Sequence, residues 1–197
     1  MGKFILGVIV TLLILILGGL GYAMLGFIPT TANVAPSHME LHLANTAMDA
    51  SMERHAPHVA NPLTPSDQNL IDAMKLYTMN CALCHGGLDR KPAALAKNFY
   101  PPVPNLISDP PDDPEWHIFF TIRTGVRYTG MPSWDGVLPE QDMWKIASLL
   151  SHLDKLPPAV QEYWKTNFNV APAAADEEKK DGDKKEGEKK EDKHDHH

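Results

Sequence analysis

The sequence predicts an all-α protein: a small helical domain with long Pro-rich loops, preceded by one N-terminal transmembrane helix. Three observations predict it. Phe4 to Ile28 is a 25-residue run with no charged side chain. Three later stretches repeat apolar residues at helical spacing, the mark of a helix with one buried face. Between them lie proline-rich segments with neither two-residue alternation nor a strand–helix–strand rhythm.

The 197 residues carry 18 Lys+Arg against 25 Asp+Glu, a formal charge of −7. That total averages segments of different kinds. Residues 1–28 read as the anchor, 29–65 as a linker rich in His, Met and Pro, 66–170 as the packed domain and 171–197 as a charged tail. From Asp176 to His197, ten acidic and seven basic residues leave almost nothing apolar to bury, so disorder is expected there. Mild acidity excludes a general nucleic-acid binder, which needs a basic face. The two cysteines allow one disulfide at most.

As a helix the apolar run would be about 38 Å long, more than the roughly 30 Å of a bilayer's hydrocarbon core. A cleaved secretory signal has an apolar region of only about 7–15 residues. This run is longer and no small-x-small cleavage site follows at once, which favours an uncleaved anchor. Lys3 precedes the run and no Lys or Arg follows until Arg54. The positive-inside rule then puts the N-terminus in the cytoplasm and everything after Ile28 outside, with the lipid bilayer as its first partner. Gly19 and Ala23 could seat a second helix or be glycine-type residues scattered in an anchor.

Treated as flexible coil, the 37 residues of Pro29 to Pro65 would reach about 30–37 Å, and their prolines would stiffen them. A short surface helix carrying Met39, Leu43, Met48 and Met52 is the simplest local structure. His38 with His42, and His55 with His58, have helical spacing but no carboxylate or thiolate partner at matching positions for a metal site.

In the domain, Thr64-Pro65-Ser66-Asp67 has the Ser/Thr-x-x-acid form of a helix start. Leu70, Met74, Tyr77 and Cys81 then make one apolar face. Asp113 with Pro114 reads as N-cap and first helical residue of a second helix, which carries Trp116, Phe119, Phe120 and Ile122 and stops at Gly125. Pro139 opens a third, where Met143, Ile146, Ala147, Leu150 and Leu153 form the stripe and Pro157-Pro158 ends it. A short helix near Val160–Phe168 is weakly signalled.

Cys81-Ala-Leu-Cys84-His85 is the one sharp chemical motif. C-x-x-C-H marks covalent attachment of a c-type haem. Cysteines three apart at a helix end lie on similar sides, so two thioethers can hold one porphyrin while the next imidazole faces the iron. A redox C-x-x-C expects a neighbouring βαβ unit, and a structural zinc site needs more thiolate or imidazole ligands in tight spacing. Neither context is present in the sequence. One haem c is therefore expected, with His85 on the iron.

A second axial ligand is needed for a six-coordinate iron, and nine methionines are available. Met131 stands out because Thr129-Gly130-Met131-Pro132-Ser133-Trp134 is a loop between two expected helices. The glycine permits close backbone approach and the proline stiffens the loop. Met143 fits a helix core, Met74 and Met79 lie on or beside the helix leading into the thiols, and His117 and His152 are alternative ligands.

With C-x-x-C-H and the later Met-Pro in place, Thr64 to Leu156 resembles the class I monohaem cytochromes c, above all the small membrane-anchored bacterial ones and the haem subunits of respiratory complexes. Ala73 and Tyr77 stand where that family has a small residue and an aromatic. Pro104-Asn105-Leu106 resembles its Pro-x-Leu loop, which implies that the Pro104 carbonyl accepts a hydrogen bond from His85. Ile122-Arg-Thr-Gly125 and Met131-Pro132 resemble the stretch presenting the axial methionine. Leu149 stands where an aromatic is common in the closing helix. Arg123, Arg127, Tyr128 and Trp134 are candidate partners for the haem propionates, and Trp116, Phe119 and Phe120 are candidates for packing around the haem.

The resemblance implies a non-enzymatic electron-transfer protein, cycling one electron between membrane complexes such as a quinol-oxidising complex and a terminal oxidase. A fixed haem-bearing subunit of a larger respiratory or photosynthetic complex is the alternative. A peroxidase or ligand sensor would require a vacant sixth position. Asp109, Asp112 and Asp113 are either a steering patch for a basic partner or ordinary solvated loop charge.

Overall fold

In the computed structural model, residues 1–168 are described. The expected tail at 171–197, with its terminal His-Asp-His-His, lies outside the described residues.

The apolar N-terminal run forms α1, Gly2–Met24. At 1.5 Å per residue its 23 residues extend about 34 Å, long and apolar enough to cross a membrane. It stops four residues earlier than the uncharged run, with Gly26 at φ +80°.

The next segment is not coil throughout. Ser37 accepts the Glu40 amide on its hydroxyl and starts an 18-residue helix, α2, His38–His55. The short surface helix expected to carry Met39, Leu43, Met48 and Met52 is present, but one face of it is covered. Met52 is buried, with Leu41 and Met48 half-buried along the same face, whereas Met39 and Leu43 are exposed. The helix therefore turns Leu41 rather than Leu43 toward the domain.

Three amphipathic helices build the core: α3 Asp67–Asn80, α5 Glu115–Thr124 and α6 Glu140–Ser151, with a one-turn helix α4, Ala82–His85, directly after α3. Helix α6 packs on both α3 and α5. Ala73, Met74 and Tyr77 of α3 meet Met143, Ile146, Ala147, Leu149 and Leu150 of α6 in one buried cluster. The Phe119 and Trp144 rings stack with centroids 3.9 Å apart and planes 2° from parallel. Each large apolar side chain buried here contributes roughly 1.5–3 kcal/mol of transfer free energy. Leu149 is fully buried at the position where an aromatic was expected from the family.

The helix starts differ from expectation by one or two residues, for consistent reasons. Ser66, not Thr64, caps α3, its hydroxyl accepting the Asn69 amide. Pro114 and Pro139 hold extended ψ values of 152° and 142°, so each sits at the N-cap and the helix begins one residue later. Asp113 then faces His117, its Oδ1 3.3 Å from Nδ1. Helix α7, Pro158–Phe168, is a full three turns and buries Val160 and Trp164 against α3 and the core. Trp164 Nε1 donates to the Leu88 carbonyl at 2.7 Å.

Candidate haem site

The Cys81–His85 turn grows directly out of α3. The Cys81 amide donates to the Tyr77 carbonyl, and the amides of Cys84 and His85 both donate to the Cys81 carbonyl. This one turn sets the two sulfurs and the imidazole on a single short stretch of backbone. Both cysteines are free thiols and half-buried. Burial, with the neighbouring Cys84 adding to it, pushes the Cys81 thiol up to about 12. A redox dithiol needs the opposite, a thiolate stabilised near neutral pH.

His85 is held from two directions by the Pro104–Leu106 loop. Its Nδ1 lies 3.0 Å from the Pro104 carbonyl oxygen, and its own carbonyl accepts the Leu106 amide at 3.2 Å. Proline's carbonyl can only accept, so Nδ1 carries the proton and Nε2 keeps its lone pair for a metal. Burial also pulls the imidazole below its usual value, partly offset by that hydrogen bond, which favours the neutral ligand form. Tyr77 completes the clamp, its hydroxyl donating toward the carbonyls of Gly86 at 3.0 Å and His85 at 3.2 Å.

Two residues of this clamp were missed from sequence. Gly86 has φ +88°, and a Cβ there would lie 2.8 Å from the Asn105 side chain. Asn105 Oδ1 in turn accepts the amides of Ile107 and Ser108, so it shapes the loop that reaches His85. The Asn-x-x-Ser pattern after Pro104 signals such a turn, but only the fold puts it beside Gly86.

Met131 sits at the end of a closed loop. The Val126 amide donates to the Met131 carbonyl at 3.2 Å, and the Met131 amide donates to Thr129 Oγ1 at 3.0 Å. The loop is tied to the end of α5 through Ser133 Oγ on the Arg123 carbonyl at 2.7 Å and the Trp134 amide on the Ile122 carbonyl at 3.3 Å. Gly125, at φ +67°, lets Pro132 pass so close that a Cβ would come within 2.6 Å of its backbone. The Met131 side chain is half-buried. Met74 and Met143 are fully buried in the core, and Met79 is exposed on α3.

The other candidates are spread more widely. Arg123 has its Nε 3.5 Å from Asp135 Oδ1. Arg127 and Tyr128 are at the exposed tip of the Met131 loop, Tyr128 with φ +64°. Trp134 packs half-buried on the core. Phe119 stacks inside the core on Trp144, while Trp116 stacks on His58 of the segment after α2, centroids 4.0 Å apart. His117 faces Asp113, and His152 Nδ1 lies 3.4 Å from Glu115 Oε1.

Among the described residues no group of three or more His, Cys, Asp or Glu side chains could hold a bare metal ion, the linker histidines included. The donor set fits an iron delivered inside a porphyrin: two free thiols for thioether bonds, a neutral imidazole with Nε2 to spare, and a methionine on a stiff loop.

No curated protein matches the sequence. Among solved structures, a chain of the Kuenenia stuttgartiensis reducing HAO-like protein complex is similar at 21% identity with a TM-score of 0.41, covering 49% of this chain. The match spans 50% of that chain's length. Residues 68–150 match the family described as cytochrome c oxidase, cbb3-type, subunit III. That match falls on the all-helical body and takes in its Cys81–His85 turn, so this stretch is similar to a class I-like c-type cytochrome domain.

Proposed function

We propose that the protein is a membrane-tethered electron carrier with one haem c, bound through Cys81 and Cys84 and ligated by His85 and Met131. When bound, the haem supplies a one-electron ferric/ferrous couple. The chain's own residues do the rest. The Pro104 carbonyl and Tyr77 hydroxyl hold the His85 ring and backbone in one orientation. The Gly125–Met131 loop presents a thioether, a ligand that raises the reduction potential. With both axial positions filled by side chains, the site favours electron transfer over substrate chemistry.

The observation that carries this reading is the His85 Nδ1 contact with the Pro104 carbonyl at 3.0 Å, beside two free thiols on the same turn. Helix α1 supports tethering in a bacterial inner membrane with the domain on the periplasmic side. Partners on this reading are membrane electron-transfer complexes, a quinol-oxidising complex as donor and a terminal oxidase as acceptor.

The description of the matched family as an oxidase subunit favours a second reading, a fixed haem-bearing subunit. Mild detergent extraction at native expression followed by sizing separates the two: co-migration with a large complex supports the subunit, a small particle the carrier.

The ligation is tested by ferric and ferrous absorption spectra of the parent beside Met131→Ala. The substitution should abolish the sulfur-to-iron charge-transfer band and lower the reduction potential. An unchanged spectrum removes Met131 from the iron.

A further inference from the structure

Helix α2 lies outside the matched residues, yet it is docked on the domain at both ends. At its C-terminal end Met52 and Ala56 are buried and the helix packs on α5. Beyond it the His58 ring stacks on Trp116, and Asn61 Nδ2 donates to Glu115 Oε2 at 2.8 Å. At its N-terminal end Glu40 Oε1 accepts the Tyr100 hydroxyl at 2.5 Å.

Tyr100 is the next residue after Phe99, whose ring lies against the backbone of Gly130. A Cβ on Gly130 would fall 2.4 Å from the ring carbon Cδ1, so ring and backbone are in direct contact. Gly130 directly precedes Met131. An unbroken run of contacts therefore leads from α2 through Glu40, Tyr100, Phe99 and Gly130 to the sulfur-bearing residue. The Val103 amide on the Ala96 carbonyl at 3.0 Å closes the loop that carries Phe99 and Tyr100.

We propose that helix α2 is a brace for the Met131 loop: strapped to α5 at one end, it holds Tyr100 at the other and keeps the Phe99 ring pressed on Gly130. Glu40, Tyr100 and Phe99 are positioning residues. They set how readily Met131 leaves the iron, and so rest on the ligation reading above. The linker then does two tasks, tethering the domain and stiffening its weaker axial bond.

The test uses the full-length holoprotein with imidazole as a competing ligand. Apparent affinity for imidazole, read from loss of the ferric sulfur-to-iron band, should rise about threefold in Tyr100→Phe and in Glu40→Ala, the scale of one lost hydrogen bond. The double variant should match either single one, because both remove the same contact. In Phe99→Ala the rise should be larger. Amide exchange at Val126, whose N–H bonds the Met131 carbonyl, should quicken in the same variants, a readout independent of the iron. If the parent shows the band and neither imidazole affinity nor Val126 exchange changes, the brace is overturned; additive singles overturn it too. A parent without the band fails the ligation reading instead, and Val126 exchange alone then decides the brace.

Discussion

The hydroxyl of Tyr77 donates to the carbonyl of Gly86 at 3.0 Å, joining the last turn of α3 to the residue just past His85. Tyr77 is fully buried, and burial together with the nearby Cys81 pushes its phenol well above the usual range. It therefore stays a neutral donor at any working pH.

Tyr77→Phe removes that donor while keeping the ring, leaving the Gly86 carbonyl short of a partner. A cost of about 1–3 kcal/mol is expected. A lower urea midpoint with an unchanged slope would register it. A midpoint equal to the parent's would show that the two carbonyls find other donors.

Covalent attachment is checked by colour. After denaturation and extraction with acidified organic solvent, the parent polypeptide should keep its pigment. The Cys81→Ser, Cys84→Ser double variant should lose it, while each single variant keeps one thioether. Pigment retained by the double variant would contradict the assignment of both sulfurs.

Gly125 has φ +67° and ψ −176°, a conformation essentially reserved for glycine. In Gly125→Ala the backbone alone costs about 1–3 kcal/mol. The new Cβ also drives into Pro132, so the Met131 loop must shift. The expected result is a weakened sulfur-to-iron band together with a lower melting temperature. Destabilisation with an unaltered band would uncouple this glycine from the ligand loop.

Phe119→Ala empties the space beside Trp144 between α5 and α6 and should cost about 3–5 kcal/mol, read by thermal or urea unfolding. A loss below 1 kcal/mol would mean that the pair collapses to fill the space.

By itself the sequence determined where the core helices run and which short motif carries the proposed chemistry. Helical spacing on Leu70–Tyr77 and Met143–Leu150, and the prolines at 114 and 139, mark where helices run because those signals are local: periodicity, capping and the fixed φ of proline. The C-x-x-C-H turn is local in the same way, with five consecutive residues carrying the proposed attachment chemistry. What the tertiary structure decided lies in contacts between residues far apart in the chain. Asn105 shaping the loop against Gly86, Trp164 closing on Leu88, Arg123 turned toward Asp135, and α2 gripping Tyr100 leave no period or motif to read. The linker shows the difference most plainly. Its composition suggests a leash bearing a short surface helix, and it is the surface offered by α5, together with Tyr100, Trp116 and Glu115, that holds α2 and the segment after it on the domain. Burial against a distant partner is the physical reason, and a linear sequence does not display which surface that partner presents.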